Sequence, residues 1–146
     1  MNLTLTQILL VEDSPADIRL TQEALRDAKV LNRLHIARDG VEALAFLRRE
    51  EPFPDAPRPD LVILDLNIPR LNGKEVLAAM RADTAMRSIP VAVLTTSSQE
   101  ADIVDAYQLG ANCYLTKPID LDQFVRVVQT MEEFWLGIVT LPPRLA

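Results

Sequence analysis

Apolar residues gather in five short runs: Gln7 to Val11, Leu34 to Ala37, Leu61 to Leu64, Val91 to Leu94 and Cys113 to Thr116. Each is rich in Val, Ile and Leu without strict alternation, the pattern of strands buried on both faces of a parallel sheet. Between the runs, apolar positions recur at helical spacing. Ile18, Thr21, Leu25 and Ala28 share one face of a helix that opens at Ser14-Pro15-Ala16-Asp17, a capping-box pattern with Pro at the first helical position, and is expected to end near Ala28. A second helix is expected from about Val41 to Arg48, with Val41, Leu44, Ala45 and Leu47 turned inward. A third follows the Asn67 to Gly73 loop and runs to about Arg81, and a fourth opens at Ser97-Ser98-Gln99-Glu100 and stops at Gly110. The last begins after Asp120, where Phe124, Val127, Val128, Met131, Trp135 and Ile138 keep helical spacing for about five turns, roughly 28 Å, until Pro142 and Pro143. Four prolines between Glu51 and Pro59 predict a stiff surface connection instead of a helix or strand.

Strand and helix signals alternating five times predict an α/β fold, a doubly wound five-stranded parallel sheet with helices on both faces. The flavodoxin-like strand order 2-1-3-4-5 is the one this pattern favours. At 146 residues, 49% of them apolar and 5% aromatic, the chain suits a single domain over 1–146. Its core covers about 6–130, and 131–146 form a helix extension and a Pro-terminated tail. The net charge of -6 without a basic cluster argues against direct nucleic-acid binding. Cys113 is the only cysteine, so no intrachain disulfide forms, and a reducing cytoplasm is the plain reading. Met1 to Thr6 lacks a basic n-region and no apolar run approaches the ~18 residues that span a bilayer, so a soluble, unprocessed protein away from membranes is expected.

The polar residues that end the runs change the picture most. Glu12 and Asp13 follow the first run, Asp65 the third, Thr95 the fourth and Lys117 the fifth. In open parallel sheets reactive groups gather beyond the carboxyl ends of the strands, at the point where the strand order reverses. With the first and third strands adjacent, Asp13 and Asp65 should face each other across that crevice. Carboxylates are hard oxygen ligands of the kind Mg²⁺ prefers. Two of them ~4 Å apart repel by about 4 kcal/mol at an effective dielectric of 20, a cost that a cation removes. A carboxylate such as Asp65 attacks phosphorus to give an acyl phosphate when metal and ammonium neutralise the transferring oxygens, and Lys117 is the ammonium. Position and electrostatics carry most of phosphoryl transfer, so no catalytic histidine is required. Thr95 is placed to donate a hydrogen bond to a phosphoryl oxygen. Singly, an acidic pair after a strand is more often a helix cap and Lys-Pro a loop dipeptide; their joint placement at strand ends carries the inference.

With those positions in place, the chain resembles the receiver domain of two-component response regulators over about Thr6 to Thr130. The acidic pair, Asp65 with the Pro69 and Gly73 loop, Thr95, and Lys117-Pro118 all fall in the family's order. The resemblance implies that Asp65 is the phosphoacceptor, and that Glu12, Asp13, Asp65 and the Asn67 backbone carbonyl hold Mg²⁺. Thr95 and Lys117 bind the phosphoryl group, and Thr95 and Tyr114 form the switch. Glu12 stands where many members carry Asp, Ile68 replaces a common Met, and Thr96 is bulkier than the usual residue. These departures imply a water between Glu12 and the metal and narrower access to the phosphoryl group. The long last helix with Phe134-Trp135-Leu136 and the ending Val139-Thr140-Leu141-Pro142-Pro143 looks like the stand-alone response regulators of phytochrome-type histidine kinases. That implies a phosphoacceptor regulator without turnover beyond self-catalysed phosphotransfer and slow autodephosphorylation, signalling through its fourth-helix, fifth-strand and fifth-helix face.

Two rival activities fit less well. A haloacid-dehalogenase-type phosphatase resembles a pattern with a second Asp two positions after the nucleophile, where this chain has Asn67. A flavodoxin-type carrier would present hydroxyls and backbone donors in its first loop, not Glu12-Asp13-Ser14-Pro15. A receiver that binds partners without taking phosphate is the remaining alternative. His35, the sole histidine, lies away from the strand ends and is read as structural. Phe134, Trp135 and Ile138 extend beyond where the sheet should end, so a homodimer through the last helix is expected.

Overall fold

The computed structural model describes residues 5–26, 31–95 and 100–116. Its elements run β1 (Thr6–Val11), α1 (Pro15–Arg26), β2 (Asn32–Ala37), α2 (Gly40–Arg48), β3 (Leu61–Leu64), α3 (Gly73–Ala82), β4 (Val91–Thr95), α4 (Glu100–Gln108) and β5 (Cys113–Thr116). All strand pairs are parallel, in the order β2-β1-β3-β4-β5. The expected final helix, including Phe134, Trp135 and Ile138, lies outside the described residues.

Alternate side chains of each strand enter different layers. Leu9, Val11, Val62, Leu64, Val91 and Val93 pack with α2 and α3 through Leu44, Phe46, Val76, Leu77 and Met80. Ile8, Leu10, Leu61, Ile63, Ala92 and Leu94 face the other way, against Ile18, Ala24 and Leu25 of α1. The apolar runs are continuous because both faces are covered.

Local chemistry sets the helix ends. Ser14 Oγ accepts from the Asp17 N–H and opens α1. Asp39 caps α2 by accepting from the Glu42 N–H at 2.8 Å. Asn72 and Glu75 form a reciprocal capping box at α3. Gly110, at φ 96°, follows the end of α4 in the left-handed region that favours glycine. Lys74 joins α3 to α4 by pairing with Asp102 and Asp105. The hydrogen bond to Asp102, then that to Asp105, raises its pKa.

The inner face of α2 differs from the expected one. Gly40, Ala43, Leu44 and Phe46 are buried, whereas Val41 is 43% exposed and Ala45 and Leu47 are only partly covered. The stripe is displaced by about one residue, or 100°. A residue without a side chain, Gly40, occupies the innermost position of the first turn, and apolar periodicity does not register it. The proline-rich connection is exposed over much of its length but anchored, with Phe53 stacked edge-on to Phe46 at 5.5 Å and Arg58 bonded to the Ala85 carbonyl and Ser88 Oγ.

His35 is structural, as expected. Its Nε2 lies 2.7 Å from Gln7 Oε1 on the adjacent strand, and its ring is 5.2 Å from that of Phe46. Burial, with a smaller contribution from Arg33, lowers its pKa below the ordinary 6.5. The unfolded chain therefore takes up this proton first on acidification, and stability falls as pH drops through 6.5 toward the folded value. The His35→Gln variant is expected to lose less melting temperature than the parent between about pH 7.5 and 5.5. Equal losses in thermal melts of the two proteins would contradict the assignment.

Candidate functional site at the carboxyl ends of β1 and β3

The site follows from the register of three neighbouring strands. Val11 stands opposite Leu64, and the next backbone donors continue the ladder: Asp65 N–H to Val11 O at 3.0 Å, Glu12 N–H to Ala37 O at 2.9 Å. The residues that end β1 and β3 are thereby fixed at the point where the strand order reverses, with one neighbour on each side of β1.

Glu12, Asp13 and Asp65 each direct a carboxylate oxygen into one cluster, all three within 4.8 Å of one another. Glu12 is 2% and Asp65 7% exposed, while Asp13 is open to solvent. The buried pair is oriented by local backbone donors: Ser14 N–H to Glu12 Oε1 at 3.1 Å and Asn67 N–H to Asp65 Oδ1 at 2.9 Å. Like charges at ~4.8 Å and an effective dielectric of 20 repel by roughly 3.5 kcal/mol. The donor set fits a hard divalent cation: all ligand atoms are carboxylate oxygens, and opposite corners of an octahedron of 2.0–2.1 Å bonds lie about 4.2 Å apart, close to the observed spread.

The loop after Asp65 is braced at both ends. A Cβ on Gly73 would lie 2.5 Å from the Asp65 carbonyl oxygen and from the Leu66 Cα, so only glycine allows α3 to start this close to β3. The Gly73 N–H donates to the Leu66 carbonyl at 3.0 Å. On the other side a Cβ on Gly40 would lie 1.9 Å from the Leu71 carbonyl oxygen. Arg70, at φ 70°, pairs with Asp39 at 3.2 Å.

Thr95 ends β4 opposite Thr116 at the end of β5, on the same edge of the sheet as the acids. Tyr114, on β5, is half-buried and packs against the larger apolar cluster. Lys117 lies outside the described residues. The structure thus brings together Glu12, Asp13 and Asp65, with Asn67 attached through its N–H. Sequence reading had passed over Asp39, Gly40, Arg70 and the Asn72 cap. Asp39-Gly40 before an apolar helix and Asn72 three residues before Glu75 were the signals available for the two helix caps.

A sequence profile described as the response regulator receiver domain matches residues 8–129. The chain is 49% identical over 135 residues to the response regulator Rcp1 of Synechocystis sp., covering 92% of each chain. It is similar to the crystal structure of the phosphorylated cyanobacterial phytochrome response regulator RcpA, at a TM-score of 0.87 and 48% identity over 96% of this chain and 100% of that one. The Mn²⁺-bound form of Rcp1 gives a TM-score of 0.84 at 48% identity, covering 94% and 99%. Among the described residues no helix is long and apolar enough to cross a membrane.

A bound divalent cation removes the repulsion among the three acids. In thermal melts, Mg²⁺ at ten times its dissociation constant is expected to raise the melting temperature by about 3–5 °C, and Asp13→Asn to shrink that rise. A melting curve indifferent to Mg²⁺ would contradict the site.

Proposed function

The chain belongs to the response regulator receiver domain family, and from that premise we propose that it accepts a phosphoryl group from a histidine kinase onto Asp65. The observation that carries this reading is the convergence of Glu12, Asp13 and Asp65 at the ends of β1 and β3. Phosphorylation of an aspartate is the mechanism of this family, whose members are regulators and not conventional enzymes. The chain's relation to phytochrome response regulators supports a phytochrome-type photoreceptor kinase as the donor.

In the transfer, an Asp65 carboxylate oxygen attacks the phosphorus, the P–N bond to the kinase histidine breaks, and the departing imidazole retains the electron pair and takes up a proton. The Asn67 N–H holds the Asp65 carboxylate for this attack through its Oδ1. Glu12, Asp13, Asp65 and the Asn67 carbonyl would hold Mg²⁺, which would supply charge neutralisation for the phosphoryl oxygens. Lys117 provides the ammonium and Thr95 the hydroxyl that bind the phosphoryl group. Thr95 and Tyr114 then pass its presence to the α4 and β5 face. Hydrolysis of the acyl phosphate is slow and returns Asp65.

Residues 1–146 act as a single domain that works in the cytoplasm, as the lone Cys113 suggests, and binds neither membranes nor nucleic acid, consistent with its -6 charge. Its signal leaves through a partner or through a homodimer formed by Phe134, Trp135 and Ile138. Incubation with acetyl phosphate and Mg²⁺ is expected to add one phosphate to the intact mass, lost in Asp65→Asn. No mass change in the parent would favour a binding-only module.

A further inference from the structure

The loop from Leu66 to Asn72 has a third anchor besides its two ends, and none of the residues that make it belongs to the acidic cluster. Asp39, only 7% exposed, receives the Glu42 N–H on one oxygen and the Arg70 guanidinium on the other. The Gly40 N–H reaches the Pro69 carbonyl at 3.4 Å, the Leu71 N–H donates to that same carbonyl at 2.9 Å, and Gly40 is in close contact with Leu71. The middle of the loop is therefore fastened to the start of α2, while its first turn supplies the Asn67 N–H that orients Asp65.

We propose that Arg70 and Asp39 are positioning residues for phosphorylation: their ion pair holds the Asp65 loop in register and so sets the attack geometry of the Asp65 carboxylate. This rests on Asp65 as phosphoacceptor. The Arg70 side chain is 61% exposed and the pair adds little to global stability. Its effect is local, because misplacement of reacting groups by a fraction of an ångström lowers rate without unfolding anything. Arg70 acts through Asp39, not by its charge on the phosphodonor.

Arg70→Gln removes the charge, whereas Asp39→Asn removes the ion pair but keeps a residue that caps α2 well. With acetyl phosphate and Mg²⁺, each variant is expected to lower the maximal phosphorylation rate about three- to ten-fold with KM for acetyl phosphate unchanged. The double variant should be no slower than either single one, and Arg70→Lys should recover part of the rate. Amide hydrogen exchange at Asn67, read without phosphodonor, should accelerate in both single variants while melting temperatures stay within about 2 °C of the parent. A rise in KM for Arg70→Gln with Asp39→Asn unaffected would overturn the proposal in favour of direct charge attraction. Unchanged Asn67 exchange in both variants would overturn it even if the parent takes no phosphate, the separate outcome that rejects Asp65 as acceptor.

Discussion

Everything at the functional end of this molecule depends on the pairing of β1 with β3. That register sets Glu12 and Asp65 side by side with little water around either, and Asp13 at their rim. Three negative charges in so small a volume oppose folding. The sheet tolerates them because Ile8 to Val11 and Leu61 to Leu64 are buried on both faces and bring their own large stabilisation. The strain is electrostatic and local, and it is relieved by whatever positive charge enters.

Glycine decides how closely the surrounding backbone approaches. Gly73 lets α3 begin against the Asp65 carbonyl, and Gly40 lets α2 begin against Leu71. Both helices carry side-chain caps, Asn72 and Asp39, so their first turns are firm abutments for the loop between them. The Asn67 N–H, held between those abutments, keeps the Asp65 carboxylate turned into the cluster. Caps outside the acidic cluster thus bear on the placement of its carboxylates through the backbone.

The inner strands β1, β3 and β4 were legible because a doubly covered sheet leaves a clear trace, near-continuous runs of Val, Ile and Leu, while the edge strands β2 and β5 carry weaker runs. Their order was the flavodoxin-like one that the alternating pattern favours, and the facing of Asp13 and Asp65 followed from that order. The α2 face was misread because Gly40 carries no hydrophobic signal, although it occupies the innermost position. The Asp39–Arg70 pair was invisible for another reason: it links positions 31 apart in sequence that no periodicity or motif connects. Long-range polar contacts depend on where loops end up, and loop paths are set by tertiary packing. Lys117, Phe134, Trp135 and Ile138 rest on sequence alone, as they lie outside the described residues.

A cation held jointly by the acids ending β1 and β3 would sit at one point in the fold, beside Asp65. Paramagnetic Mn²⁺ added at substoichiometric levels to isotope-labelled protein reads this directly, since amide resonances broaden according to their distance from the ion. Selective loss of the Glu12, Asp13, Asp65 and Asn67 signals is expected, with α1's Leu25 and α3's Met80 left sharp. Broadening centred elsewhere on the acidic surface, or spread evenly over the chain, would contradict it.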